Sequence, residues 1–250
     1  MEYSSKKEIG KTILVIVAHP DDEVLGCGAS IAKWADAGNS VHILIMAEGA
    51  TSRSPIRDVS VNSEELLSLE KSAYRARDIL GATSVKLLNF PDNRMDSLDL
   101  LDVIKVIEKE IRILKPYTVV THHSGDLNID HRIVNEAVIT ACRPQPMCSV
   151  RRLLSFETAS STEWQTAGSY LPFQPNYFED VSKYIKLKMK ALIAYDSEMR
   201  DYPHPRSLKN VENLAKLRGS SVGFKTAEAF ILLRELKRCK SDNECNTLFF

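Results

Sequence analysis

In the stretch ILVIVAHPDDEVLG, residues 13–26, an apolar run breaks into His19, Asp21, Asp22 and Glu23. A turn needs at most one or two residues of this kind, so four within five positions point to chemistry. His19 and Asp22, three apart across a strand-to-helix turn, can converge on one point. His131, in the later segment GDLNIDHR, can supply a third ligand. Two histidines and one carboxylate leave an open position for water, the pattern of a catalytic rather than a structural zinc site. Mixed nitrogen and oxygen ligation also suits cobalt, iron or nickel. Asp21 lies between the two first ligands and should point elsewhere, as a general base acting on that water would. The plainer alternative is that Asp21 or Asp22 merely caps the following helix, since Asp is a favoured N-cap.

Such convergence needs a scaffold, and the chain has one. Strands are predicted at residues 12–18, 41–47, 85–89, 118–122 and 152–156, with helices at 22–37, 63–80, 97–114 and 130–141. Glycines in WADAGN and DILGA, and proline in KP, stop the first three helices. Alternating strands and helices with short loops imply a parallel sheet covered on both faces, and the runs ILVIVA and VHILIMA fit strands buried on both sides. In the order 3-2-1-4-5, strands one and four are neighbours, and the loops carrying His19 and His131 face each other beyond their carboxyl ends, where such sheets bind ligands. His42 starts a strand at the far end and is assigned to packing. Of His122 and His123, one packs and the other supports the site. From Ser160 the pattern loosens into a loop, STEWQTAGSYLPFQPN, followed by helices at 181–195 and 208–217. EAFILLREL leaves strand and helix both open, and the tail from about 240 to 250 is expected to fray.

Composition narrows the function classes. Thirty-three basic residues balance thirty-three acidic ones, with 44% hydrophobic and 26% charged. No global field draws in nucleic acid or an anionic membrane. The apolar run at 13–18 is far too short to span a bilayer, and MEYSSKKEIGKT lacks the apolar core of a signal peptide. Five cysteines (Cys27, Cys142, Cys148, Cys239, Cys245) form neither a disulfide framework nor a CxxC knuckle, which favours a reducing cytoplasm. GCG at 26–28 does not complete a dinucleotide fingerprint. One domain over residues 1–250 is expected, and a homo-oligomer is compatible with this composition.

AHPDDE at 18–23 with GDLNIDHR at 125–132 resembles the PIG-L/LmbE family of zinc-dependent N-acetyl amino-sugar deacetylases. That family includes the deacetylases of mycothiol and bacillithiol synthesis, chitobiose deacetylases and the glycolipid enzyme of GPI assembly. DILGATSVKLLNFPDNR is similar to its Leu-Gly, Leu and Pro-Asp region. The resemblance implies a three-layer, Rossmann-like α/β fold, zinc on His19, Asp22 and His131, and Asp21 as the base. The implied substrate is a small N-acetyl amino sugar, nucleotide sugar or glycoconjugate. Many members carry a histidine that polarises the substrate carbonyl where this chain has Asn128, in NIDH. The expected replacement is His204, held between two prolines in DYPHPRS and folded over the cleft, with Asn128 orienting the His131 loop. Sugar contacts are expected from Arg53, Asp92, Arg94, Glu157 and Trp164, all in loops after strands. Two rival functions stand beside this one: hydrolysis of another acyl amide such as an N-formyl group, and non-catalytic binding of a sugar phosphate or nucleotide sugar.

Overall fold

The computed structural model describes residues 10–53, 57–58 and 63–237. The tail expected to fray, with Cys239 and Cys245, lies outside these residues. Seven strands form one sheet: β1 (Thr12–Val17), β2 (Ser40–Ala47), β3 (Ser84–Phe90), β4 (Thr118–His122), β5 (Arg152–Phe156), β6 (Tyr177–Asp180) and β7 (Ala227–Glu235). Their spatial order is β3-β2-β1-β4-β5-β7-β6. The first five are parallel and in the order read from the sequence, while β7 runs antiparallel to both β5 and β6. Six helices accompany them: α1 (Asp22–Asp36), α2 (Ser63–Leu80), α3 (Leu100–Leu114), α4 (Ile129–Ala141), α5 (Ile185–Ala194) and α6 (Leu208–Ser220).

Side chains of a strand alternate between faces, and here both faces are apolar. Ile13, Val15 and Val17 of β1 join Val41, Ile43 and Ile45 of β2 in one buried cluster, against α1, α2, α5 and α6. Leu14, Ile16, Leu44 and Met46 enter the other, against α3 and α4. The fold is thus a mostly parallel Rossmann-like sheet with helices on both faces. No described helix is long and apolar enough to cross a membrane.

Several elements differ from expectation for local reasons. The segment predicted as helix from residue 97 opens with a 3-10 turn, Met95–Ser97, and α3 starts only at Leu100. The helix expected over 181–195 shortens to Ile185–Ala194. EAFILLREL resolves to strand, because β7 inserts between β5 and β6, and β6 itself follows the long loop unannounced.

The helix that leaves β1 is broken. Cys27 has φ −147° and ψ 25°, interrupting α1 one turn after Glu23. Glu228 of β7 accepts hydrogen bonds from the freed amides of Ala29 (3.1 Å) and Ser30 (2.6 Å). Lys188 of α5 pairs with Glu228 at 2.6 Å and donates to the Leu25 carbonyl at 2.8 Å. Both side chains are buried, and the pair satisfies the backbone groups that the break orphans. Gly26 sits at the same place because Phe156 of β5 presses on it: an added Cβ would lie 2.2 Å from the ring. Gly26→Ala is therefore expected to destabilise the protein by about 1–3 kcal/mol through overpacking. A thermal midpoint equal to the parent protein's would show that Phe156 yields instead.

Candidate functional site

The site lies where the sheet chemistry places it, at the carboxyl ends of β1 and β4. His19 leaves β1, Asp22 opens α1, and His131 lies in the first turn of α4, whose N-cap Asn128 accepts from the Asp130 amide at 2.8 Å. His19 Nδ1 and His131 Nε2 lie 3.3 and 3.2 Å from Asp22 Oδ2. Ligand atoms of the three residues all fall within 4.8 Å of one another. The cleft around them holds about 210 Å³ and is lined almost wholly by polar groups, among them Asp21, Ser52, Asn93, Asn128, Ser161 and Arg206.

Each imidazole has a carboxylate behind it. His131 Nδ1 faces Asp126 Oδ1 at 3.2 Å, and His19 Nε2 faces Asp92 and Asp130 at 3.2 and 3.1 Å. This is the arrangement that fixes a metal-binding histidine's tautomer and turns its other nitrogen to the ion. Asp126 is itself clamped by Ser161 and Thr162 hydroxyls and by the Asn128 amide. Burial would raise its pKa, but His131 and these donors hold it at about 2. Burial opposes a charged His131 too, yet Asp22 and Asp126 outweigh it and lift its pKa to about 9. Two imidazoles set among four buried carboxylates suit an added divalent cation. The donor set fits zinc or a similar ion, with His19 Nδ1, Asp22 and His131 Nε2 as the groups that would hold it.

His122 is close but does not belong to that set. Its Nε2 accepts the Ala18 amide at 2.9 Å, which leaves Nδ1 protonated toward Thr158. Its ring stacks on His131 at 3.9 Å, and burial, with the charge of His131, pushes its pKa down to about 3. It is a neutral wall behind the site. His123 instead reaches the Leu171 carbonyl, and His42 bonds Ser84 far from the cleft.

Asp21 occupies a backbone conformation that few non-glycine residues adopt, φ 107° and ψ −28°, and makes no side-chain capping bond. Such geometry costs on the order of 1–3 kcal/mol and persists only where the surroundings enforce it. Glu23 enforces it here: its Oε2 accepts the Asp21 amide, and its Oε1 accepts the Tyr195 hydroxyl at 2.7 Å. The turn thus sends Asp22 toward the histidines and Asp21 to the cleft wall. Burial and neighbouring Asp22 push the Asp21 pKa up, with Arg206 opposing. A raised carboxylate pKa favours proton acceptance.

The other expected residues divide. Asn128 lines the cleft, but its carbonyl caps α4 and its amide donates to Asn93, so it orients the His131 loop. Asp92 also lines the cleft, with its oxygens turned to His19, Asn93 and the Ser52 amide rather than to open space. Arg53 ends a 3-10 turn, Thr51–Arg53, and its side chain lies outside the described residues. Arg94, Glu157, Trp164 and His204 do not line the cleft. Glu157 is bound bidentately by Arg218, because α6 brings a guanidinium to it. Trp164, 49% exposed, meets the His204 ring edge-on at 5.7 Å, and His204 Nδ1 accepts the Arg206 amide. The turn that was expected to present His204 presents Arg206 instead. Local spacing carried no signal for Arg206. Asp126 and Asp130, in contrast, stand in the same GDLNIDHR motif as His131 and could have been found there.

Residues 14–142 match the family model described as PIG-L: GlcNAc-PI de-N-acetylase. The chain is 33% identical over 196 residues to the uncharacterized deacetylase YaiS of Escherichia coli K12, covering 75% of this chain and 91% of that protein. It is 27% identical over 195 residues to the diacetylchitobiose deacetylase of Thermococcus kodakarensis, covering 75% of this chain and 70% of that one. The fold is also that of GalB, the 4-carboxy-2-hydroxymuconate hydratase of Pseudomonas putida KT2440, with a TM-score of 0.70 at 20% identity over 93% of this chain and 99% of that one. A shared fold does not by itself select a reaction; the family model and the two deacetylases concern sequence, and they converge on one assignment. The chain belongs to the PIG-L family.

Proposed function

We propose that the protein is a metal-dependent deacetylase that hydrolyses the N-acetyl group of an amino sugar or amino-sugar conjugate. The observation that carries this reading is the convergence of His19, Asp22 and His131 at the floor of a polar cleft, with Asp21 on its wall. The near absence of apolar lining suits a substrate that presents hydroxyls, and the similarity to a diacetylchitobiose deacetylase supports the same class.

When bound, zinc or a comparable ion supplies Lewis acidity and lowers the pKa of water from about 16 toward about 7. The protein's own residues do the rest. Asp126 and the Asp92–Asp130 pair hold the two imidazoles in one tautomer and one orientation. Asp21 takes a proton from the attacking water, holds it in a buried setting that favours the neutral acid, and delivers it to the departing nitrogen. Ser52 and Asn93, both exposed beside the cleft, offer hydrogen-bonding groups to sugar hydroxyls.

Two measurements test the reading. Metal analysis of the purified protein should find a divalent ion that is lost in both His19→Ala and His131→Ala; undiminished metal in the two variants would remove the site. Acetate release should be detectable from a panel of N-acetylated mono- and disaccharides. On the best of these, Asp21→Asn is expected to keep its metal and lose about 10²–10⁴-fold in kcat, the usual contribution of a general base. A near-normal rate in that variant would place the base elsewhere, and N-formyl release without acetate release would redirect the substrate assignment.

A further inference from the structure

The cleft also holds a cationic side chain beside Asp21. Arg206, between Glu198 and α6, places Nη1 3.3 Å from Asp21 Oδ2 and 3.6 Å from Glu198 Oε2. Its Nε is buried with no hydrogen-bond partner among the described residues, while the side chain as a whole is 26% exposed. The guanidinium therefore lies in the cleft wall and still faces the open space. Among the described residues lining the cleft it is the one permanently cationic side chain. Asn128, which also lines the cleft, is a neutral amide already engaged with Asn93 and the Asp130 amide.

Resting on the deacetylase reading, the geometry points to Arg206 as the catalytic cation that offsets the negative charge developing on the acetyl oxygen. The order of charge movements explains why it should pair with the base beforehand. As an O–H bond of water breaks, its proton passes to Asp21. The water oxygen bonds to the carbonyl carbon, and the π pair moves onto the carbonyl oxygen. Arg206 loses the nearer of its two carboxylate partners at the step in which a new anion forms in the same cleft. Glu198, buried behind the guanidinium, keeps it in place through the change. The carbonyl then re-forms and the C–N bond breaks, with the nitrogen taking the proton from Asp21. The resulting acid gives its remaining proton to the amine, so acetate and an ammonium leave and the Asp21–Arg206 pair is restored. Preorganised charge of this kind, present before it is needed, is typically the strongest contribution to such reactions.

The test compares the metal-loaded protein with its Arg206→Ala and Arg206→Lys variants, reading metal content, acetate release and the calorimetric affinity for acetate as an anionic probe. Arg206→Ala should retain metal and thermal midpoint and lose roughly 10²–10³-fold in kcat, the scale of an oxyanion donor, with a smaller change in KM. Its acetate affinity should fall, Arg206→Lys should lie between, and added guanidinium ion should restore part of the rate to Arg206→Ala alone. Unchanged kcat and unchanged acetate affinity in Arg206→Ala would overturn the assignment, as would a rate loss that guanidinium does not relieve. The probe also separates the two readings. If the parent protein releases no acetate from any N-acetyl sugar, the deacetylase reading fails. Acetate affinity that still depends on Arg206 would then uphold the anion-compensating role, and affinity indifferent to it would remove that role as well.

Discussion

A single carboxylate oxygen, Oδ2 of Asp22, is the point on which the architecture converges. It accepts the His19 amide at 2.8 Å and faces ring nitrogens of His19, His131 and His122 at 3.2–3.4 Å. A buried carboxylate without such company costs several kcal/mol. The company comes from the end of β1 and, far along the chain, from the end of β4 and the start of α4. Their meeting depends on β1 and β4 being parallel neighbours, paired from Ile13 with Thr118 to Val15 with Val120. The apolar alternation of the central strands therefore does more than bury surface. It sets the depth at which three polar loops emerge together.

Around that oxygen the site is arranged in shells of alternating charge. The imidazoles surround Asp22, and Asp92, Asp126 and Asp130 stand behind the imidazoles. The outer carboxylates are in turn saturated by backbone amides and hydroxyls, including the Asn93 and Met95 amides on Asp130. Most polar atoms that these shells take out of water thus meet a partner, as buried networks require. Asp21 stands apart from these shells, with Arg206 as its charged partner. Its backbone is held in a disfavoured turn by Glu23 and Tyr195, which turns its carboxylate toward solvent-accessible space and away from the network.

Much of this is legible in the amino-acid sequence, and the reasons are physical. β1 and β2 announce themselves because burial on both faces leaves long apolar runs, and α2 matched residue for residue because its periodicity is strong. The cluster of His19, Asp21 and Asp22 was legible because chemistry confined it to one turn. What remained hidden depends on contacts between distant segments. EAFILLREL could not be assigned until β5 and β6 were seen flanking it. Glu157 reads as a free loop acid until α6 delivers Arg218. His204 and Arg206 are two residues apart in one turn, and only the packing of that turn against Glu198 and Asp21 decides which of them enters the cleft.

The family match ends at residue 142, yet the molecule does not divide there. Phe156 braces the first turn of α1, Glu228 and Lys188 mend its break, Tyr195 secures the strained turn, and Arg206 faces Asp21. All five come from the half of the chain beyond the match. The motif residues and the residues that keep them in position thus sit on opposite sides of the boundary at which the family model ends. Relatives can retain an identical reactive cluster while inheriting a different brace. Divergence in the second half then alters reactivity without touching a single motif residue, and a fragment cut at that boundary would carry the motifs without the means to aim them.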